Sequence, residues 1–339
     1  MTSRIDASVA SPSLVTPSRA PRKTRTGSPF WQRYLLVGLW LALIVVFVSI
    51  SPERFLSLPV ALSVFSSADV YVFLGLAVLL TFYVGEIDLS VPFVFGLSAT
   101  LVPSLSGLYG VPLWLSIALA LVASVVVGIV NAFFVLRIGV DPLVTTLGVG
   151  AVVQGLALVV SNEMPQAGLP PAFTAFASTR LLGLTVTFWS GLLLAILLAY
   201  ILYRTPLGRR MTFVGANHEV ARLSGISVDR VRAGSYVFGS LIAGIGGVFV
   251  VARLGGFDAS SSTSYLMPMF ATVFASAAVI TLGRFNPFGV LIGAYFISTG
   301  TLGLKVLGLT GWTQQVFYGG ALILAVSMVT LVRKRSGGA

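Results

Sequence analysis

Long apolar runs separated by short polar segments dominate this sequence of 339 residues. Each run has roughly the 20 residues that a helix needs to cross the ~30 Å hydrocarbon core of a bilayer. Charged residues make up only 9% of the chain, against about 25% in an average soluble domain, so they are too few to cover an aqueous surface. The pattern predicts an all-α, polytopic membrane protein with about ten transmembrane helices, at residues 34–50, 60–84, 91–108, 113–136, 143–160, 184–203, 233–252, 265–282, 287–304 and 312–332.

The distribution of basic residues indicates how the chain is oriented. If the N-terminus is placed in the cytoplasm and the spans alternate, the inside segments hold 17 of the 21 Lys and Arg residues. Cytoplasmic loops carry this excess in membrane proteins, so we expect an even number of spans with both termini in the cytoplasm. The net charge of +11 is then a topology signal, and nucleic acid is not expected as a partner.

Polar segments flank the apolar region. Residues 1–28 are rich in Ser, Thr, Pro and Arg and are expected to form a disordered, basic cytoplasmic tail; a transit peptide is the less favoured alternative. Residues 29–335 are expected to form one transmembrane domain with a cytoplasmic loop at 204–232, and residues 336–339 a short tail. The sequence therefore predicts a single folded domain.

Several kinds of binding and catalytic site are missing from the sequence. Cysteine is absent and His218 is the only histidine, so no metal site and no cofactor is predicted. None of the three lysines follows a glycine, which excludes the phosphate-binding loop of ATP-hydrolysing domains. We therefore expect that the chain is not an enzyme, and a moving membrane protein without its own energy source remains plausible.

The acidic residues lie near the predicted span ends. The first half of the second span, 60–69, carries three serines and one of these acids, and it is interpreted as interfacial or as part of a broken helix. Ion-coupled carriers place an ionisable group at mid-depth, and none is expected there in this chain. An ion-coupled secondary carrier and a membrane enzyme are therefore less favoured alternatives. The acids concerned are Asp69, Glu86, Asp88, Asp141 and Asp258.

The polar segment 204–232 contains the signals of a short helix. Asn217 is a good N-cap, Glu219 in the first turn complements the helix dipole, and Gly225 suits the position after the helix end. A capped helix is therefore predicted over 217–224, with two apolar residues, Val220 and Leu223, on one face.

A second short turn is predicted over 228–232, with Ser227 as its cap and Asp229 in its first turn. Two small helices would then lie on the cytoplasmic face. Such a projection suits docking into a cleft of a soluble partner, and it equally suits an amphipathic loop that lies on the lipid headgroups. The residues alone leave both interpretations open.

The run GANHEVARLSGI at 215–226 resembles the cytoplasmic coupling loop of the ribose/xylose-type ABC importer permeases, which typically reads GxNxEAARLSGI. The run GEIDLSV at 85–91 is similar to the GGIDLSVG of that family. Residues 131–136, followed by PLVTTLG at 142–148, are similar to its NGLLVxxxxIPPFIATLG. The order and spacing of the three motifs agree across about residues 50–332.

The resemblance implies a multi-pass protein of the cytoplasmic membrane. In that family two permease subunits, either two copies or a copy and a sister chain, form the pathway. Two ATP-binding subunits grip the coupling loops, and an extracytoplasmic sugar-binding protein delivers the cargo, a monosaccharide or related polyol. The residues that would contact the ATP-binding subunits are Gly215, Asn217, Glu219, Ala221, Arg222, Leu223, Gly225 and Asp229. A permease for branched amino acids or another small solute is the alternative within this class.

The sequence departs from the family pattern at several positions. Glu86 and Pro92 stand where the family usually has Gly, and Asp141 replaces the first residue of a Pro pair. The run at 276–289 has lost most of the glycines that the family carries there. These departures leave the identity of the cargo open.

Two further sets of polar residues are candidates for function. Asp88 and Ser90 lie in a turn between Gly85 and Pro92, where Asp88 is expected to cap the third span or, alternatively, to contact the ATP-binding subunit. Uncharged polar residues inside the spans either line the pathway or form interhelical hydrogen bonds. The candidates for the pathway are Asn131, Thr145, Gln154 and Gln315.

Overall fold

The computed structural model describes residues 34–281 and 283–335. The predicted tails at 1–28 and 336–339 lie outside the described residues. The helices are α1 Leu35–Ile50, α2 Pro52–Phe55, α3 Leu58–Tyr83, α4 Val91–Pro103, α5 Leu113–Phe133, α6 Pro142–Val160, α7 Pro171–Ser178, α8 Val186–Arg204, α9 Pro206–Ala216, α10 His218–Leu223, α11 Val228–Leu254, α12 Leu266–Ser276, α13 Pro287–Val306 and α14 Trp312–Arg335.

Short irregular elements complete the described chain. One turn of π-helix follows α4 at Ser104–Leu108 and another follows α5 at Phe134–Ile138, while a 3₁₀ segment, Ala259–Tyr265, precedes α12. Two antiparallel pairs of very short strands join β1 (Gln166–Ala167) to β4 (Gly256–Phe257) and β2 (Arg180–Leu181) to β3 (Leu184–Thr185).

Eight helices among the described residues are long and apolar enough to cross a membrane: α3, α4, α5, α6, α8, α11, α13 and α14. The all-α, polytopic membrane class is therefore confirmed. The first predicted span corresponds to α1, which has 16 residues and is shorter than the others. The count of ten spans stays a prediction.

The predicted eighth span, 265–282, is replaced by the 11-residue α12 and the 3₁₀ segment ahead of it. The helix ends at Ser276 because Asn286 closes the next turn. The side-chain amide of Asn286 donates to the carbonyl oxygens of Ser276 at 2.7 Å and Val279 at 3.0 Å, while its own carbonyl oxygen caps α13 through Gly289.

The structure corrects the interpretation of the second span. It is one continuous helix of 26 residues, α3, in which the hydroxyls of Ser63 and Ser66 donate to carbonyl oxygens one turn earlier. The expectation that no acid lies inside a span is also wrong, since Asp69 is 5% exposed within α3. Its carboxylate accepts a hydrogen bond from Thr187 in the first turn of α8 and lines a small cavity with Arg253.

The core lies where α3, α4 and α11 pack against one another. Glycines in α11 permit this close approach, because a Cβ at Gly246 would lie 2.6 Å from the Cβ of Phe73. At Gly247 it would lie 2.4 Å from the carbonyl oxygen of Phe95 on α4. The glycine-rich part of the predicted seventh span therefore serves helix packing.

The described helices alternate between two ends of the bundle. One end, called here the coupling end, gathers the turn at 84–90, the α5–α6 connection and the segment 205–227. The turn at 283–285 belongs to it as well, since it lines a cleft together with Tyr83 and Gly215. The pairing of β1 with β4 lies at the opposite end.

Candidate functional site

The predicted helix in the polar segment is α10, and its N-terminal cap is confirmed. The side-chain oxygen of Asn217 accepts the backbone N–H groups of Glu219 at 2.9 Å and Val220 at 3.0 Å. These are two of the donors that a helix N-terminus leaves without an intrahelical partner. The first turn of α10 is therefore fixed by its own sequence.

The C-terminal end of α10 is fixed as well. Gly225 adopts a left-handed conformation with φ of +78° and donates its N–H to the carbonyl of Arg222 at 3.0 Å. The N–H of Ile226 reaches back to the carbonyl of Ala221 at 3.1 Å. This is the Schellman arrangement, in which glycine adopts the left-handed geometry without a steric cost. The helix is short but held at both ends.

One face of α10 is presented to the surroundings. Leu223 is 84% exposed and Val220 is 53% exposed, while Ala221 is fully buried against the bundle. Arg222 lies beside them and pairs with Asp229 at 3.4 Å, with about two-thirds of each side chain exposed. An apolar pair next to a charged pair on a rigid helix is typical of a docking surface.

Two predictions about the segment 204–232 are wrong: its first part is not a loop, and 228–232 is not a separate short turn. Residues 206–216 form the helix α9, because Thr205 caps it, Pro206 suits its first position and Met211 and Val214 are buried. The predicted turn at 228–232 is the beginning of α11, which continues without a break to Leu254.

The end of α9 packs directly on the end of α3. A Cβ at Gly215 would lie 2.2 Å from the carbonyl oxygen of Tyr83, so this contact between two backbones requires glycine. The imidazole Nε2 of His218 lies 2.9 Å from the carbonyl oxygen of Val84. The helix α10 is therefore attached to the turn at 84–90.

A buried ion pair attaches the same turn to α11. Both Nε and Nη2 of Arg232 lie 2.5 Å from Oε1 of Glu86, and the hydroxyl of Tyr236 donates to Oε2 at 3.1 Å. The Glu86 side chain is 2% exposed and that of Arg232 is 17% exposed. The sequence reasoning missed this pair, and the signal that could have found it is the charge at position 86 where the family pattern has Gly.

Asp88 and Ser90 form the other half of the turn. Oδ1 of Asp88 accepts the N–H of Ser90 at 2.8 Å and its hydroxyl at 2.6 Å. The predicted capping of the third span is thus indirect, because α4 begins at Val91 and Asp88 holds the residue before it. Complete burial raises the pKa of Asp88 from 3.8 to about 6, and the hydrogen bonds from Ser90 oppose this shift.

Two further contacts join the turn to α5 and α6. The side-chain amide of Asn131 donates to the hydroxyl of Ser90 at 2.8 Å, and the N–H of Leu89 donates to Thr146 at 3.0 Å. The turn at 84–90 therefore touches α5, α6, α10 and α11. It forms the centre of the coupling end, where all three sequence motifs meet.

The four candidates for the pathway do not form one site. Asn131 is buried beside the turn at 84–90, and Thr145 is buried in the first turn of α6. Gln154 lies more than two turns further along α6, where its oxygen accepts the hydroxyl of Thr263 at 3.2 Å. Gln315 is exposed in the first turn of α14. Their role in the pathway stays a prediction.

The fold and this junction define a multi-pass membrane protein that presents a rigid helix at one end of its bundle. A sequence model of the family described as "Branched-chain amino acid transport system / permease component" matches residues 60–326. The chain belongs to this family of transport permeases. The resemblance to importer permeases that the motifs indicate is thereby confirmed.

Curated relatives agree with this assignment. The chain is similar to the D-allose transport system permease protein of Escherichia coli (strain K12), with 29% identity over 90% of this chain and 94% of the relative. It is 30% identical to the ribose import permease protein of Bacillus subtilis (strain 168), over 88% and 92%. It is also 30% identical to the autoinducer 2 import system permease protein of Yersinia enterocolitica, over 87% and 92%. None of the solved structures matches the chain at a significant level.

Proposed function

We propose that this chain is the permease subunit of an ABC importer that carries a monosaccharide, ribose- or xylose-like, or a related polyol across the cytoplasmic membrane. The names of the relatives support a sugar as cargo, because they include D-allose, ribose and L-arabinose, together with autoinducer 2. The family description names branched-chain amino acids. Such a cargo is less favoured, because the sugar permeases are similar to almost the whole chain. Both termini are proposed to lie in the cytoplasm.

The observation that carries this proposal is the rigidity and exposure of α10. A helix capped at both ends, with Leu223 at its surface, suits insertion into a groove of an ATP-binding subunit. Its attachment to the turn at 84–90 supports transmission of force to α3, α4 and α11. Binding and hydrolysis of ATP in the partners would then alternate the access of the pathway.

The remaining partners follow from the same assignment. An extracytoplasmic sugar-binding protein would deliver the cargo, and a second copy or a sister permease would complete the pathway. The chain would hold no cofactor and perform no chemistry of its own, because ATP is hydrolysed in the partner subunits. The lipid bilayer covers the exposed apolar faces of the outer helices.

The test is the double substitution Arg222→Ala and Leu223→Ala in the complete importer. Truncation of a residue at the centre of an interface costs about 2 kcal/mol of binding free energy, so uptake is expected to fall by about tenfold or more. ATP turnover should no longer respond to the sugar-loaded binding protein, while the amount of permease in the membrane is unchanged.

The matched control is Leu207→Ala with Arg209→Ala, two exposed residues of the neighbouring helix α9. This control should transport normally. Normal uptake by the Arg222 and Leu223 variant would remove the coupling role from α10.

A further inference from the structure

A hydroxyl-lined cavity of about 60 Å³ lies between α3 and α13. The turn before α13 belongs to the coupling end, so Lys305 in the last turn of α13 lies at the opposite end of the bundle. This is the end at which an extracytoplasmic delivery protein would release cargo. The cavity is lined by Ser67, Tyr71, Ser298, Thr301, Leu302 and Lys305.

Two of the lining hydroxyls, those of Tyr71 and Thr301, meet the hydroxyl of Tyr318, which lies behind the wall. The oxygens of Tyr71 and Tyr318 are 3.2 Å apart, and the hydroxyl of Thr301 lies 3.2 Å from that of Tyr318 and 2.8 Å from the carbonyl oxygen of Ile297. Each hydroxyl has one hydrogen to donate and two lone pairs that can accept. The hydrogen of Thr301 is donated to the carbonyl oxygen of Ile297, so the group has more acceptor sites than hydrogens. The group therefore retains acceptor capacity for O–H donors from outside.

The charge of the cavity selects between classes of cargo. Among the lining residues that the structure describes, Lys305 carries the only charge, and it is exposed at the rim. A zwitterionic amino acid can pair its carboxylate with Lys305, but its ammonium group would meet a wall without a carboxylate, and the burial of an unpaired charge is costly. A neutral polyol brings only hydroxyls, which donate to the free lone pairs and accept from the ammonium of Lys305.

We propose that this cavity is a subsite for the hydroxyl groups of a neutral, polyhydroxylated cargo on its way through the permease. The proposal rests on the proposed function as an importer subunit and names the cargo contacts at the end opposite α10. Its volume has room for more than one water-sized group, such as the hydroxyl-bearing edge of a sugar ring.

The first test uses the absence of natural cysteine. Ser67→Cys in the complete importer places one thiol in this chain at the cavity, and a small methanethiosulfonate reagent applied from outside modifies it. Neutral aldoses such as D-ribose, D-allose and L-arabinose, delivered with the binding protein, are expected to slow this modification about fivefold for the transported sugar. Leucine should not slow it.

The control for this test is Ser63→Cys, one turn earlier on α3. Ser63 is exposed, its hydroxyl donates to the carbonyl of Pro59, and it does not line the cavity. Its modification should be the same with and without sugar. Uptake of an aldose without protection of Ser67→Cys would overturn the subsite and leave the importer assignment intact. Uptake of no neutral sugar would overturn both.

A second test removes single oxygen atoms. Tyr71→Phe and Thr301→Val each remove one lining hydroxyl and keep the shape of the side chain, and each is expected to lower aldose transport about fivefold at saturating loaded binding protein, the effect of one lost hydrogen bond. Tyr200→Phe is the control, because Tyr200 is 62% exposed on α8. Equal transport by all three variants would contradict the proposed role of the hydroxyls.

Discussion

The ion pair between Glu86 and Arg232 predicts an unequal response to its two single substitutions. Arg232→Met leaves the Glu86 carboxylate, which is 2% exposed, with one hydrogen bond from Tyr236. An uncompensated buried charge costs about 3–5 kcal/mol. Glu86→Gln leaves Arg232, which is 17% exposed and can reach water, so the cost should be nearer 1–3 kcal/mol.

The double substitution Glu86→Gln with Arg232→Met should be more stable than Arg232→Met alone, because no buried charge remains. For the double variant to be nearly as stable as the unsubstituted chain, the coupling between the two positions must offset both single costs, which together are about 4 kcal/mol or more. Thermal unfolding of the purified chain in detergent should rank the proteins in the order unsubstituted, double, Glu86→Gln and Arg232→Met, with the first two close together.

The exposed pair of the same chain is the control. Arg222→Met removes the partner of Asp229 at a site where about two-thirds of each side chain is exposed, so its cost should be within about 1 kcal/mol. If the double variant instead shows the sum of the two single effects, Glu86 and Arg232 do not act as a pair, and the attachment of α11 to the turn at 84–90 has another cause.

Three further outcomes follow from the structure. Gly215→Ala should lower the yield of folded permease, measured by gel filtration in detergent, because its Cβ would lie 2.2 Å from the Tyr83 carbonyl, whereas Gly148→Ala meets nothing within 4 Å. Burial raises the pKa of Asp88 from 3.8 to about 6, so the folded chain binds this proton more tightly than the unfolded chain. The folded chain should therefore lose stability as the pH rises from about 4 to about 6. Asp88→Asn should remove that loss in thermal unfolding across this range. Uptake into vesicles at fixed ATP should not change when the proton gradient is collapsed, because the proposed energy source is ATP hydrolysis in the partners, even though Asp69 is buried. Uptake that falls with the gradient would favour an ion-coupled carrier.

Local signals were sufficient for α10. The capping of Asn217 and the left-handed Gly225 depend on residues within four positions of each other, so the sequence shows them directly. The apolar runs likewise revealed the helical membrane class, because their length is set by the thickness of the bilayer.

Contacts between distant segments could not be predicted in the same way. Glu86 and Arg232 are 146 positions apart, and a single sequence does not say which charges meet. The helix α9 was missed because its charged residues and glycines resemble a loop, and only its burial on α3 shows its amphipathic face. Asp69 was placed near a span end because its neighbouring serines look interfacial, whereas their hydroxyls bond within the helix.

The helices α3 and α11 explain how a movement at α10 could reach the far end of the bundle. With 26 and 27 residues at 1.5 Å per residue, they are rods of about 39 and 40 Å. Glu86 and Arg232 join them at the coupling end, and Asp69, near the middle of α3, lines one cavity with Arg253 in the last turn of α11. Because Gly246 brings their backbones close between these points, the two rods have little room to slide past each other. A displacement of α10 should therefore tilt α3 and α11 together and change the packing of α13, whose face on α3 carries the hydroxyl-lined cavity.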